Sequence, residues 1–410
     1  MRKNSMLRCF VFFMLILMVQ GCRGQAGDSP GDAGTVPGKP LIPLLQTGAE
    51  RTDLYFPLLK GKKIGVTGNQ TSLIGSVHLV DSLLRTGIEV IKVFCPEHGF
   101  RGEAEAGKTI QGGKDDLTGL PVVSLYGKKK KPSAEDLEGI GIMVFDIQDV
   151  GARFYTYIST LHYVMEACAE KNIPLLVLDR PNPNGHYVDG PVLKPGFTSF
   201  IGMHHVALVH GMTMAEYARM INDEGWLAGG VKCDLSWVPV SGYAHSTTYQ
   251  LPVAPSPNLQ DMDAVYLYPS VCLLEGTIAS VGRGTDFPFR LVGHPSVKTG
   301  DTTFIPRSIP GKSESPKLLG QTCHGWRLDG ANPDGSSMLN SLDLTWLLRL
   351  YKETGGGEGF FTSSFDLLAG TDLLRKQILE GKSEAEITIS WQNGLNEFKT
   401  IRKKYLLYPE

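Results

Sequence analysis

The sequence predicts an α/β fold built on a mainly parallel sheet, and three observations predict it. Strand-like and helix-like segments alternate between residues 62 and 178. The strand-like segments are continuous apolar runs, as in sheets covered on both faces. A proline-dense stretch, Leu251-Pro252-Val253-Ala254-Pro255-Ser256-Pro257, then separates this part from a less regular remainder. Together they describe a Rossmann-like three-layer domain, residues 46–255, followed by a smaller α+β domain, residues 256–410.

Each element has a local reason. Residues 62–69 read as a strand ending in a turn. Residues 77–85 have helical spacing, with Val77, Val80, Leu83 and Leu84 on one face and Gly87 as a stop. Residues 89–95 and 121–126 are the next strands. Ser133 caps an expected short helix over 133–137. Residues 140–147 form a strongly apolar strand. A helix over 158–171 follows, with Ile158, Leu161, Val164, Met165 and Cys168 on one face. Residues 174–178 are a further strand. Thr213-Met214-Ala215-Glu216 is a capping box that opens a helix. Beyond the prolines, helices are expected over 341–351 and 373–380.

The N-terminus is a separate region. Arg2, Lys3 and Arg8 precede an apolar stretch, and Val19-Gln20-Gly21-Cys22 is similar to a bacterial lipobox. The expectation is a lipoprotein signal over residues 1–21, lipid on Cys22, and a Gly/Pro-rich tether over 22–45. The protein would then be exported and membrane-anchored, periplasmic or associated with the outer membrane. Removing residues 1–21 leaves 37 basic and 42 acidic residues, a net of −5, which disfavours a nucleic-acid partner. Cys95, Cys168, Cys233, Cys272 and Cys323 are odd in number and widely spaced, so buried free thiols are expected. No G-x-G-x-x-G follows the first strand and no P-loop lysine pattern occurs, so no nucleotide cofactor is expected. His204, His205 and His210 cluster, and Cys95 to His98 has C-x-x-H spacing. No second metal motif supports them, and no metal is expected.

Open parallel sheets bind ligands at the carboxyl ends of their strands. Three such ends are polar here: Glu97 and His98; Asp146, Gln148, Asp149 and Arg153, with Tyr155 and Tyr157 beyond; and Arg180, Asn182 and Asn184. No serine elbow is present. Carboxylates beside Asn, Arg and Tyr suit acid–base chemistry on a polyhydroxylated ligand. Glu97 as a helix cap, or as a partner of Arg101, is the alternative these residues leave open.

The stretches PEHGFRGE, FDIQDVGARFYTY, LDRPNPNG, VDGP, HGMT, PSPN, LLEGT and SVGRGT lie in this order. With them the chain resembles the exo-β-N-acetylmuramidase family, from about Leu54 to Tyr408. The resemblance implies a two-domain glycoside hydrolase with its site in the cleft between the domains. Its substrates would be peptidoglycan-derived muramyl saccharides or muropeptides, and the terminal N-acetylmuramic acid would be released. The family's catalytic glutamate falls on Glu97. Glu103, Glu105, Asp146, Asp149 and Glu275 are candidates for a second group, with substrate assistance as a further route. Arg153, Arg180 or Arg283 would receive the lactyl carboxylate. A non-catalytic muropeptide-binding lipoprotein on the same fold is the competing reading.

Overall fold

The computed structural model describes residues 44–102, 113–330 and 335–410. Cys22, Glu103 and Glu105 lie outside the described residues. Six strands form the parallel part of the main sheet: β1 (Lys63–Gly68), β2 (Glu89–Cys95), β3 (Pro121–Ser124), β4 (Ile142–Asp146), β5 (Leu175–Leu178) and β6 (Leu235–Val238). Their spatial order is β3-β2-β1-β4-β5-β6, and the two-residue strand Gly113–Lys114 joins the outer edge of β3 antiparallel. All residues of β4 and β5 are buried, as the unbroken apolar runs required. The strand order reverses between β1 and β4.

Helices cover both faces. Tyr157–Lys171 buries Ile158, Leu161, Val164, Met165 and Cys168. Met214–Asp223 begins as the capping box predicts: the Glu216 carboxylate accepts the Thr213 N–H at 2.9 Å, and the Thr213 hydroxyl accepts the Glu216 N–H.

Two elements differ from expectation. The helix expected over 77–85 starts only at Leu79, because Val77–His78 pairs with Leu73–Ile74 across a turn in which Gly75 has φ 60°. Residues 133–137 stay a single turn. The Leu137 N–H reaches the Ser133 carbonyl, and Gly139 at φ 77° then turns the chain away.

The remainder carries a three-stranded antiparallel sheet of β7 (Leu291–His294), β8 (Thr302–Phe304) and β9 (Cys323–Arg327), with β9 in the middle. The helices Met262–Val271, Thr345–Glu353, Leu373–Leu379, Glu384–Ser390 and Gln392–Arg402 complete it. Its core is continuous with that of the main sheet: Phe145 and Leu161 share one apolar cluster with Leu273, Leu344 and Leu395. The five cysteines among the described residues are buried free thiols.

The chain's last turn returns to the sheet at Asp179. This buried carboxylate accepts hydrogen bonds from Tyr408 Oη (2.6 Å), Thr213 Oγ1 (2.7 Å) and the Ala215 N–H (2.9 Å). Burial outweighs these donors and pushes its pKa up to about 6. The protonated form is therefore favoured by folding. Its contribution is complete below the ordinary aspartate value near 4 and is lost as pH rises through about 6. At about 1.4 kcal/mol per unit the effect is on the order of 3 kcal/mol. Asp179→Asn cannot ionise, so its stability deficit relative to wild type should shrink between pH 5 and pH 8. Denaturant titrations at both values check this, and a pH-independent difference would refute it.

Candidate active site

β2 ends at Cys95, and the next four residues form a tight turn closed by the Gly99 N–H on the Pro96 carbonyl at 3.2 Å. His98, third in that turn, has φ 73°. Positive φ is uncommon for a residue with a side chain, costs on the order of 1–3 kcal/mol, and persists where the surroundings enforce it, as they do at functional sites. His98 is itself buried, and Phe94 and Cys95 pack fully into the core behind the turn. Burial pushes the Cys95 thiol up to about 12, so it stays protonated and inert.

The turn holds Glu97 at the rim, half-buried. Its Oε2 accepts the Thr156 hydroxyl at 3.2 Å, beside the N-terminal end of the helix Tyr157–Lys171. That positive helix end favours a carboxylate. The Tyr126 phenol, beyond β3, bonds to the same carboxylate. Burial first, and then the charge of Glu97, push the Tyr126 pKa up, so it stays a neutral donor.

Glu97 and Tyr126 form one wall of a pocket of about 360 Å³, and the opposite wall comes from the second half of the chain. Glu275 lies there at the end of the LLEGT stretch. Arg283 forks onto it, Nε to Oε1 at 2.6 Å and Nη2 to Oε2 at 2.9 Å. Lys317 Nζ donates to the Glu275 carbonyl at 3.0 Å and also to the Thr277 carbonyl. Burial pulls the Lys317 pKa down, against the attraction of Glu275. Ser313 and Ser315 complete this wall.

Several expected site residues are used differently. Arg153 is fully buried, and its two terminal nitrogens donate to four main-chain carbonyls: Pro191 (2.7 Å), Val206 (2.9 Å), Leu368 (3.2 Å) and Ala369 (2.7 Å). Its expected role in binding substrate is therefore corrected to an internal staple. Arg180 is corrected likewise. It grips Asp146 at 2.6 and 2.9 Å, both buried, and the partly buried Leu73 carbonyl at 2.9 Å. Neither Asp146 nor Arg180 lines the pocket.

Arg101 is held by Asp115 (3.0 and 2.9 Å) and Asp81 (3.2 and 3.3 Å). Gln148 bridges the Asp149 and Pro181 carbonyls, Asn182 holds the Met212 carbonyl, and Asn184 holds those of Val150 and Val265. Gly151, at φ 79°, must lack a side chain, because a Cβ there would meet the Asn182 amide at about 2.5 Å. Tyr155 and Tyr157 both donate to the Pro255 carbonyl, at 2.9 and 3.2 Å. Asp149 is buried, accepts the Gly151 N–H at 2.7 Å and faces His210 Nε2 at 3.5 Å.

The structure thus brings Glu97, Glu275 and Arg283 together. It adds Lys317 and Tyr126, which sequence reasoning missed. Tyr126 closes a strand already recognised, and its place at a strand end was the available signal. Lys317 lies in a loop with no pattern around it.

A strand-end glutamate and an arginine-clamped carboxylate line one polar pocket on a Rossmann-like sheet, and a pair of carboxylates is what most glycoside hydrolases use. The sequence profile described as Exo-beta-N-acetylmuramidase NamZ, N-terminal, matches residues 64–263, and its C-terminal counterpart matches residues 266–408. The chain belongs to the exo-β-N-acetylmuramidase NamZ family. Peptidoglycan β-N-acetylmuramidase NamZ of Bacillus subtilis (strain 168) is 38% identical to it, over 97% of this chain and 98% of its own. Two crystal structures of DUF1343 family proteins from Bacteroides fragilis NCTC 9343 share the fold. One is 44% identical with a TM-score of 0.81, and the other is 27% identical with a TM-score of 0.76. Each covers 89% of this chain and 99% of its own.

Proposed function

We propose that this protein releases terminal, non-reducing β-linked N-acetylmuramic acid from peptidoglycan fragments, with Glu97 as the key catalytic carboxylate. The observation that carries the reading is the facing arrangement of Glu97 with Arg283 and Lys317. N-acetylmuramic acid differs from N-acetylglucosamine by a lactyl carboxylate, and a site that selects it needs a fixed cation near the sugar. Lys317 spends two of its three ammonium donors on carbonyls, so the third serves a ligand. Glu97 acts on the glycosidic oxygen, with the Thr156 and Tyr126 hydroxyls setting its orientation. Glu275, fixed by Arg283, stabilises the positive charge that develops on the sugar ring. The lipobox-like Val19-Gln20-Gly21-Cys22 supports an exported, lipid-anchored enzyme that meets its substrate outside the cytoplasm.

Hydrolysis of a chromogenic β-N-acetylmuramide tests the reading, and no turnover of any muramyl substrate would end it. Lys317→Ala tests the selectivity. Losing one charge-assisted hydrogen bond should lower kcat/KM on the muramide about 10–100-fold. The matching glucosaminide, which lacks the lactyl group, should change less than about threefold on the same reasoning. Equal losses on both would remove Lys317 from carboxylate recognition.

A further inference from the structure

Three aromatic rings lead away from the catalytic pocket in one row. Tyr126 lines the pocket and bonds to Glu97. Its ring centroid lies 6.2 Å from that of Phe200, and Phe200 lies 6.3 Å from Tyr163, with those two planes 18° apart. All three residues are half-buried. None of them belongs to an apolar core cluster or packs against one, although Ile201, next to Phe200, does. Single apolar residues are ordinary on a protein surface, but a connected row that starts at the catalytic carboxylate is a patch.

The row is held in place by its backbone. Phe200 sits in a turn closed by reciprocal main-chain bonds between Ser199 and Gly202, at 2.9 and 3.0 Å. Ser159 Oγ, from the helix Tyr157–Lys171, donates to the Phe200 carbonyl at 2.7 Å. The same helix carries Tyr163. It begins beside Glu97, where Thr156 donates to the carboxylate, and Tyr163 stands two helical turns, about 10 Å, further along. Lys130 Nζ lies over the Phe200 ring, 4.6 Å from its centroid. Its neighbours Lys129 and Lys131 are tied to Asp136 and to Glu166 and Glu170, but Lys130 forms no ion pair among the described residues. This face of Phe200 is therefore covered by a flexible stem rather than by core atoms, and it opens when the lysine swings aside.

An enzyme that acts at a chain end meets the rest of the chain on one side only. The wall with Glu275, Arg283 and Lys317 serves the terminal sugar. Glu97 acts on the glycosidic oxygen, so the leaving part of the fragment lies on the Glu97 side, where the aromatic row begins. We infer that Tyr126, Phe200 and Tyr163 form a track for that leaving part, a β-linked run of N-acetylated sugars. Pyranose rings present faces of C–H groups, and these meet the negative faces of aromatic rings. The leaving sugar of a disaccharide reaches Tyr126, and a longer fragment continues onto Phe200 and Tyr163. Lys130, displaced from the ring, meets the carboxylate of the next muramyl unit. Contacts remote from the scissile bond lower the barrier as well as KM, so the track makes the enzyme prefer longer fragments. This inference rests on the function proposed above.

The test compares kcat/KM on the disaccharide of N-acetylmuramic acid β-linked to N-acetylglucosamine with kcat/KM on the tetrasaccharide of two such units. Phe200→Ala should lower the value on the tetrasaccharide about tenfold and on the disaccharide less than about threefold, the size of one lost ring contact. Phe200→Leu keeps apolar bulk without the flat face, so its loss on the tetrasaccharide should fall between wild type and Phe200→Ala. The ratio of two rates from one preparation does not depend on how much of a variant folds. A ratio that stays at the wild-type value, whether both rates hold or both fall, overturns the track. Calorimetric titration of Glu97→Gln with the tetrasaccharide, with and without Phe200→Ala, separates this inference from the functional reading. If the wild type cleaves neither substrate but binding still weakens about tenfold without the Phe200 ring, the track stands and the functional reading falls. Tetrasaccharide affinity that does not depend on Phe200 overturns the track, whatever the wild type cleaves.

Discussion

Glu97→Gln should lower kcat on a muramyl disaccharide by about three orders of magnitude, within the range for removing a positioned general acid, and leave the fold intact. The substitution keeps the shape of the side chain. The Thr156 and Tyr126 hydroxyls that orient Glu97 can reverse their donor roles to suit an amide, so the melting midpoint should move by only a few degrees. KM should change little, because the pocket's cations act on the sugar's carboxylate rather than on the bond that breaks. The leaving group separates two roles for Glu97. A nitrophenolate departs with little protonation, whereas a sugar alkoxide needs a proton. If Glu97 is the acid, the loss on the disaccharide should exceed the loss on the chromogenic substrate by at least about tenfold. Equal losses on the two would make Glu97 an electrostatic stabiliser. Activity within tenfold of wild type on both would remove it from the chemistry.

The position of Glu97 was readable because it follows from a general rule. An apolar run that ends in polar residues marks the carboxyl end of a buried strand, the edge at which open parallel sheets bind ligands. The same rule misled at Asp146, Gln148, Arg180, Asn182 and Asn184. They do lie at strand ends, but that part of the rim is covered by other loops, and covered polar groups must satisfy one another. Arg180 and Asp146 pair, while the three amides hold carbonyls. A sequence shows which residues end a strand, not which ends are later roofed over. Lys317 was missed for the converse reason: its meeting with Glu97 depends on how the second half of the chain folds back, and no local spacing encodes that. Tyr126 lies just past β3, and only the pairing of β3 with β2 brings it beside Glu97. The helix expected over 133–137 failed on a local competition, where a cap without enough helix behind it yields only a turn.

Arg153→Ala should destabilise the protein by about 3–5 kcal/mol while leaving substrate selectivity unchanged in whatever fraction stays folded. The guanidinium is fully buried with no carboxylate partner. Burial pulls its pKa down to about 10, so it is still charged at neutral pH, and its charge is balanced only by carbonyl dipoles. Those carbonyls belong to three separate stretches, around Pro191, Val206 and Leu368–Ala369, and one planar fork holds them together. Gly370, at φ 73°, leaves the room: a Cβ there would meet Arg153 Nη2 within 2.4 Å. Truncation to alanine empties that space and strands four acceptors. Arg153→Lys should recover only part of the loss, because a single ammonium cannot reach all the carbonyls spread around the edge of the planar guanidinium. Denaturant unfolding of the wild type and both variants measures the ranking. Muramide-to-glucosaminide ratios on the folded protein measure selectivity. A stable Arg153→Ala variant that had lost its preference for the muramide would return Arg153 to substrate recognition. Lowered stability with an unchanged ratio is the result that the four carbonyls require.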